Sequence, residues 1–193
     1  MILEYPGVVG SGEIYLDVMK AICGNTTGKS MADLMCHHAP YTPLLGFEHR
    51  IYVDIQDRGL DHKSEEKYFL ISDVFRFLDK CSDSSFDVMI CSDGIEHLEK
   101  LHGYDLLLSM KLKARKSIIF TPLGDLNVTD DNHPDSHKCG WEPSHMPTDY
   151  AKIVFPNFHH TLNAGAFFAW TCAGIRQDFE RVKLELNNKK WAK

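Results

Sequence analysis

The feature that most constrains this chain is an alternation along its middle. Five apolar runs of strand length, Ala32–Cys36, Arg50–Ile55, Lys67–Ile71, Phe86–Cys91 and Ser117–Thr121, are separated by segments of helical character. Those segments are Tyr41–Phe47, Val74–Lys80, Ile95–Lys100 and Tyr104–Ala114; in the last, Leu107, Met110 and Ala114 recur at helical spacing. Strands that are apolar on both faces, with helices between them, predict a parallel sheet covered on both sides. Right-handed crossovers then favour a doubly wound α/β sheet. The end of the chain breaks the pattern. Asn157–Leu162, the turn Asn163-Ala164-Gly165 and Ala166–Cys172 predict an antiparallel β-hairpin. After it, Ile175, Phe179, Val182 and Leu186 fit one face of a helix, while Val182, Leu184 and Leu186 fit a strand equally well. A helix-like segment, Glu13–Cys23, precedes the first apolar run. Residues 1–30 are therefore read as an N-terminal helical extension and 31–193 as a single domain.

Composition closes off several function classes. With 193 residues and 44% hydrophobic content, the chain can bury one sizeable core. A formal net charge of -6 argues against a protein whose main task is gripping nucleic-acid backbone, so no nucleic-acid partner is expected. The six cysteines show no CxxC pair, and several lie in or beside apolar runs, as buried thiols do. The start MILEYPGVVGSGEIY lacks the basic residues and long apolar core of a signal peptide, and no run approaches the ~20 apolar residues of a membrane span. A reduced, cytoplasmic compartment and no membrane partner are expected.

In a doubly wound sheet, ligands bind outside the carboxyl ends of the strands, where the strand order reverses. That rule selects Cys36-His37-His38-Ala39 after the first strand, Asp54 ending the second, Ser72-Asp73 after the third and Ser92-Asp93 after the fourth. A carboxylate ending the second strand is placed to accept from ribose hydroxyls. Asp73 could accept from an adenine amino group. Each aspartate also has a plain structural use, and Asp73 and Asp93 would both make good helix N-caps.

These residues carry a resemblance. The order ADLMC…RIYVDI…FLISDVFRFL…FDVMICSDGIEHLEK…KSIIFTP, closed by a hairpin, resembles the class I S-adenosylmethionine-dependent methyltransferases from Met31 to Cys172. FDVMICSDGIEHLEK is the most specific piece, being similar to the fourth-strand motif of many small-molecule and sugar methyltransferases. The resemblance implies a mostly parallel seven-stranded sheet with an antiparallel last strand. It also implies S-adenosylmethionine as cofactor and methyl transfer to a small-molecule or glycan-like acceptor. On that pattern Asp54, with Ile55, takes the ribose, and Asp73, with Val74, approaches the adenine. Cys91 and Ser92 line the pocket, and Cys36 and His37 belong to the loop around the methionine part. One departure is plain: that loop is glycine-rich in the family, and here it reads Met35-Cys36-His37-His38-Ala39. Side chains there narrow the approach to a ligand. A degenerate, non-catalytic ligand-binding or assembly module is thus one alternative. Another is a metal-dependent methyltransferase using Asp93 with acidic residues of a later loop.

The remaining candidates are histidines. Adjacent His37 and His38 cannot readily point at one metal, and Pro134 interrupts the spacing His133-x₃-His137-x-Cys139, so no metal site is expected. GNTTGKS (Gly24–Ser30) imitates a phosphate-binding loop but is one residue short between its glycines, and a strand follows it where a helix is required. The long polar segment Gly124–Met146 follows the fifth strand and can fold over the ligand end of the sheet. It offers His133, His137 and His145 as possible bases toward the acceptor, His137 first and His133 second, with Trp141 as an apolar wall; Asp93, at the end of the fourth strand, is a further catalytic candidate. Asn132…His137…Trp141 loosely resembles a pattern in methyltransferases found near glycan-modifying genes. His97, on the segment after the fourth strand, reads equally as a catalytic group or as an anchor for a neighbouring loop.

Overall fold

The computed structural model describes residues 1–24, 30–57, 59, 67–124, 136–159 and 164–192. Its strands are β1 (Ile2–Glu4), β2 (Ser30–Leu34), β3 (His49–Asp54), β4 (Lys67–Ile71), β5 (Phe86–Ser92), β6 (Ala114–Pro122), β7 (Ala151–His159) and β8 (Ala164–Cys172). They form one sheet in the order β1-β7-β8-β6-β5-β2-β3-β4. Only β8 runs against its neighbours, pairing antiparallel with both β6 and β7. The predicted seven strands are present, and an eighth joins them: Ile2–Glu4 pairs in parallel with β7 through Ile2↔Lys152 and Leu3↔Ile153. The segment read as an extension thus supplies an edge strand and, in α1 (Gly12–Cys23), a covering helix whose Val18, Met19 and Ile22 are fully buried.

The period-2 geometry of strands divides the core into two layers. Met31, Val88, Ile90, Ile118 and Phe168 face α1 and α4 (Ile175–Asn187). Their neighbours in sequence, Ala32, Met89, Cys91, Ile119 and Phe167, face α2 (Val74–Leu78) and α3 (Lys100–Lys113). Between β2 and β5 the chain reverses its direction across the sheet, which opens a crevice at their carboxyl ends.

Local departures from the sequence reading have physical causes. The ambiguous segment after the hairpin is helical, because Phe179, Val182 and Leu186 reach the core together while Leu184 is left exposed. The helix expected over Ile95–Lys100 is a single tight turn, Ile95–His97, followed by extended Leu98. The Glu96 carbonyl accepts from the Lys138 and Cys139 N–H groups, so it cannot serve a continuing helix. Strand β7 begins six residues earlier than the hairpin reading, at Ala151. Pro156, which weakens a strand reading, falls in the register irregularity between Phe155 and His159. Ala164 and Gly165, expected in the turn, belong to β8, and Asn163 lies outside the described residues.

Candidate active site

The carboxyl ends of β2, β3, β4 and β5 open into a cleft of about 900 Å³. Its floor is the loop after β2. Met35, His37 and Ala39, every second residue, have φ of 56°, 47° and 42°. This is the left-handed region that glycine enters without strain and other residues enter at a cost of about 1–2 kcal/mol. The loop therefore follows a path suited to glycine without containing one. Asp54, buried at the end of β3, holds it there. Its Oδ2 accepts from the His37 N–H at 2.9 Å and its Oδ1 from the Gln56 N–H at 3.0 Å. Its carboxylate also borders the cleft.

Cys36, His37, Asp54, Ile55, Asp73 and Val74 all line this cleft, as do Ser92 and Asp93. Cys91 does not. It is fully buried beneath Gly94, and burial pushes its thiol well above the ordinary range. Asp73 fills its structural role, with Oδ1 accepting from the Phe75 and Arg76 N–H groups to cap α2. Asp93 caps no helix among the described residues; its backbone is left-handed (φ 47°) and its N–H donates to the Phe120 carbonyl.

A second cluster stands at the end of β5. Glu96, His97 and His137 present one nitrogen or oxygen each within 4.8 Å of the others. The His97 and His137 rings meet edge to face at 5.0 Å, and His97 Nδ1 lies 3.2 Å from the Ser136 carbonyl oxygen. His97 thus anchors the returning loop and faces the cleft as well. Burial pushes Asp93 up to about 7, and burial with the charge of Asp93 pushes Glu96 up to about 8. The Thr121 hydroxyl donates to Glu96 Oε2 at 3.0 Å. Sequence spacing did not suggest this group, because two members share one turn and the third comes from a distant loop. The signal available was an acidic residue beside His97, immediately after a strand that ends at the ligand crevice.

Other residues fall elsewhere. Trp141, expected as an apolar wall, is completely buried against Gly103 of α3, with its Nε1–H donating to the Ile95 carbonyl. His145 is bonded to Lys100 and to the Glu142 N–H and does not line the cleft. His133, Asn132 and most of the GNTTGKS segment lie outside the described residues. The lining includes residues the sequence reading did not select, Tyr15, Asp33 and His159 among them. Tyr15 reaches from α1 to hydrogen-bond the Ser92 hydroxyl. Asp33 is buried beneath the loop, bonded to Thr42, and burial pushes it up to about 7. His159, at the end of β7, has a buried Nε2 without a hydrogen-bond partner among the described residues, and burial lowers its pKa. Among the described residues, no helix is long and apolar enough to cross a membrane.

No family model and no curated protein sequence matches the chain. Solved structures do. The bifunctional kinase-methyltransferase WbdD superposes over 87% of the chain with a TM-score of 0.60 at 16% identity. This chain spans only 43% of that protein. A SAM-dependent methyltransferase from Archaeoglobus fulgidus matches 83% of the chain and 94% of its own length, with a TM-score of 0.59 and 17% identity. The small RNA methyltransferase HEN1 matches 83% of the chain and 25% of its own, with a TM-score of 0.56 and 14% identity. The strand order, the single reversed strand and these superpositions agree: the chain has the fold of the class I S-adenosylmethionine-dependent methyltransferases.

Proposed function

We propose that the protein is an S-adenosylmethionine-dependent methyltransferase acting on an oxygen-bearing small-molecule or glycan-like acceptor. One observation carries the reading. Asp54, Asp73 and Ser92 stand at the carboxyl ends of successive strands around the chain reversal, facing one cleft. These residues fit the cofactor. Asp54 would accept from the ribose hydroxyls, Asp73 Oδ2 from the adenine amino group, and the loop Cys36–His37 would border the methionine part. The cofactor supplies a methyl group on a sulfonium; the protein's work is to orient the acceptor and exclude water. We assign acceptor handling to the corner where Asp93 and His137 stand, with His133 beside it in sequence. His159 is a further base candidate, since its depressed pKa keeps the imidazole neutral and able to take a proton. The net charge of -6 supports a small acceptor over a nucleic acid.

The glycine-poor loop favours a second reading, a ligand-binding module of the same fold that has lost the cofactor. Calorimetry with S-adenosylmethionine and S-adenosylhomocysteine decides between them. We expect one molecule of either to bind per chain, with Asp54→Ala weakening both. A folded protein that gives no heat with either ligand refutes the enzyme reading.

A further inference from the structure

Resting on the methyl-transfer reading, we infer that Glu96, His97 and His137 form a divalent metal site that holds the acceptor oxygen. One carboxylate and two imidazoles suit Mn²⁺, Fe²⁺, Co²⁺ or Zn²⁺ better than the all-oxygen preferences of Mg²⁺ and Ca²⁺. Their ligand atoms already lie within 4.8 Å of one another. Ligands about 2.1 Å from a common ion stand about 3–3.5 Å apart, so binding draws them together by about 1 Å.

The surroundings are those of a ligand set held in place. The Ser136 carbonyl at 3.2 Å from His97 Nδ1 makes that nitrogen the protonated donor, which leaves the Nε2 lone pair for a metal. Glu96 is fixed at both ends. Thr121 donates to its Oε2, and its own carbonyl accepts from the Lys138 and Cys139 N–H groups. Those backbone bonds also tie the segment bearing His137 to the turn bearing His97. Asp93, left-handed at the strand end, faces the cleft next to this group. His97 lines the cleft as well, so the remaining coordination positions open toward the acceptor, as a catalytic rather than a closed structural site requires.

Such an ion acts as a Lewis acid and positions the acceptor. The acceptor oxygen gives its proton to a base on the cleft, for which neutral His159 is the candidate, and forms a new bond to the methyl carbon. The carbon–sulfur bond breaks with its electron pair remaining on sulfur, so the sulfonium becomes a neutral thioether. No oxidant or reductant takes part.

Chelator-stripped protein titrated with MnCl₂ in a calorimeter, and with Co²⁺ followed by visible absorption, tests the site. We expect one equivalent to bind, with His137→Ala and Glu96→Gln each weakening it by at least about 100-fold. Because Glu96 is buried, affinity for S-adenosylhomocysteine serves as the check that each variant has folded, and half-buried His137 supplies the second variant. Protein that binds S-adenosylhomocysteine but neither metal overturns the site and leaves the methyl-transfer reading standing. Metal binding without S-adenosylhomocysteine binding does the reverse. Equal metal affinity in wild type and both variants also overturns it.

Discussion

Asp54→Asn tests the join between the sheet and its glycine-poor loop. Asp54 is only 5% exposed, and its two oxygens accept separately from the His37 and Gln56 N–H groups. Asparagine keeps the volume and one acceptor but turns an NH₂ group toward the other donor. One bond to a charged acceptor is lost, and such bonds contribute about 1.5–3 kcal/mol. The cofactor-free protein should therefore lose about 2 kcal/mol of stability. With a urea slope of about 2 kcal/mol/M, the denaturation midpoint should fall by about 1 M. Affinity for S-adenosylhomocysteine should fall by about 10–100-fold, since the same carboxylate would accept from the ribose. The two readouts fail independently. An unchanged urea midpoint would refute the clamp on the loop. A lowered midpoint with unchanged affinity would refute the ribose role.

Further outcomes are expected elsewhere. Asp33 ionises near 3.8 when unfolded but near 7 when folded, so between those values the unfolded chain gives up its proton first and stability falls as pH rises. Asp33→Asn should gain on wild type over that window, by at most about 4 kcal/mol above pH 7, in urea melts at several pH values; parallel curves would contradict this. Trp141→Phe should lower the melting temperature and leave S-adenosylhomocysteine affinity unchanged, because Trp141 packs on Gly103 away from the cleft. Gly165→Ala would place a Cβ 2.7 Å from the Phe155 carbonyl oxygen, and should cost about 2 kcal/mol or more by denaturant titration. A Cβ on Gly94 would lie 3.0 Å from the Met35 Cβ, so Met35→Gly should reduce the cost of Gly94→Ala by about 1 kcal/mol; strictly additive effects would argue against that contact.

The sheet was legible because its strands carry their own signal. Val88, Met89, Ile90 and Cys91 are apolar on both faces, and both faces prove to be covered. The three-residue β1 gave no such signal, since Ile2 is half exposed and the strand exists only through its pairing with β7. The strand-end rule found Asp54, Asp73 and Ser92, which depend on one element each. It could not find the group of Glu96, His97 and His137, whose meeting depends on where a long loop returns. The placing of Cys91 at the pocket came from the family resemblance and not from that rule, and the cleft lining does not include it: a strand's last apolar residue lies on one face or the other, and the sequence does not say which meets the ligand. Trp141 was misread for a related reason. Its polar neighbours suggested an exposed wall, whereas the ring supplies core volume that Gly103 leaves open on α3.

The loop after β2 explains how a glycine pattern can be absent while its path is kept. Three left-handed residues cost about 3–6 kcal/mol together. Against this stand the bonds from Cys36 N–H to the Val53 carbonyl, His37 N–H to Asp54 and Ala39 N–H to the Cys36 carbonyl. Two neutral bonds at about 1 kcal/mol and one charged bond at about 1.5–3 kcal/mol contribute about 3.5–5 kcal/mol, close to balance. A glycine stands in the facing turn. Gly94 has an ordinary negative φ, so it is required for space and not for conformation, and the space it leaves is filled by the Cys91 thiol and by Met35. A family loop keeps its path through residue preference; this one keeps it through its partners. Its conformation should therefore depend on Asp54 and Gly94 more than on any residue within the loop.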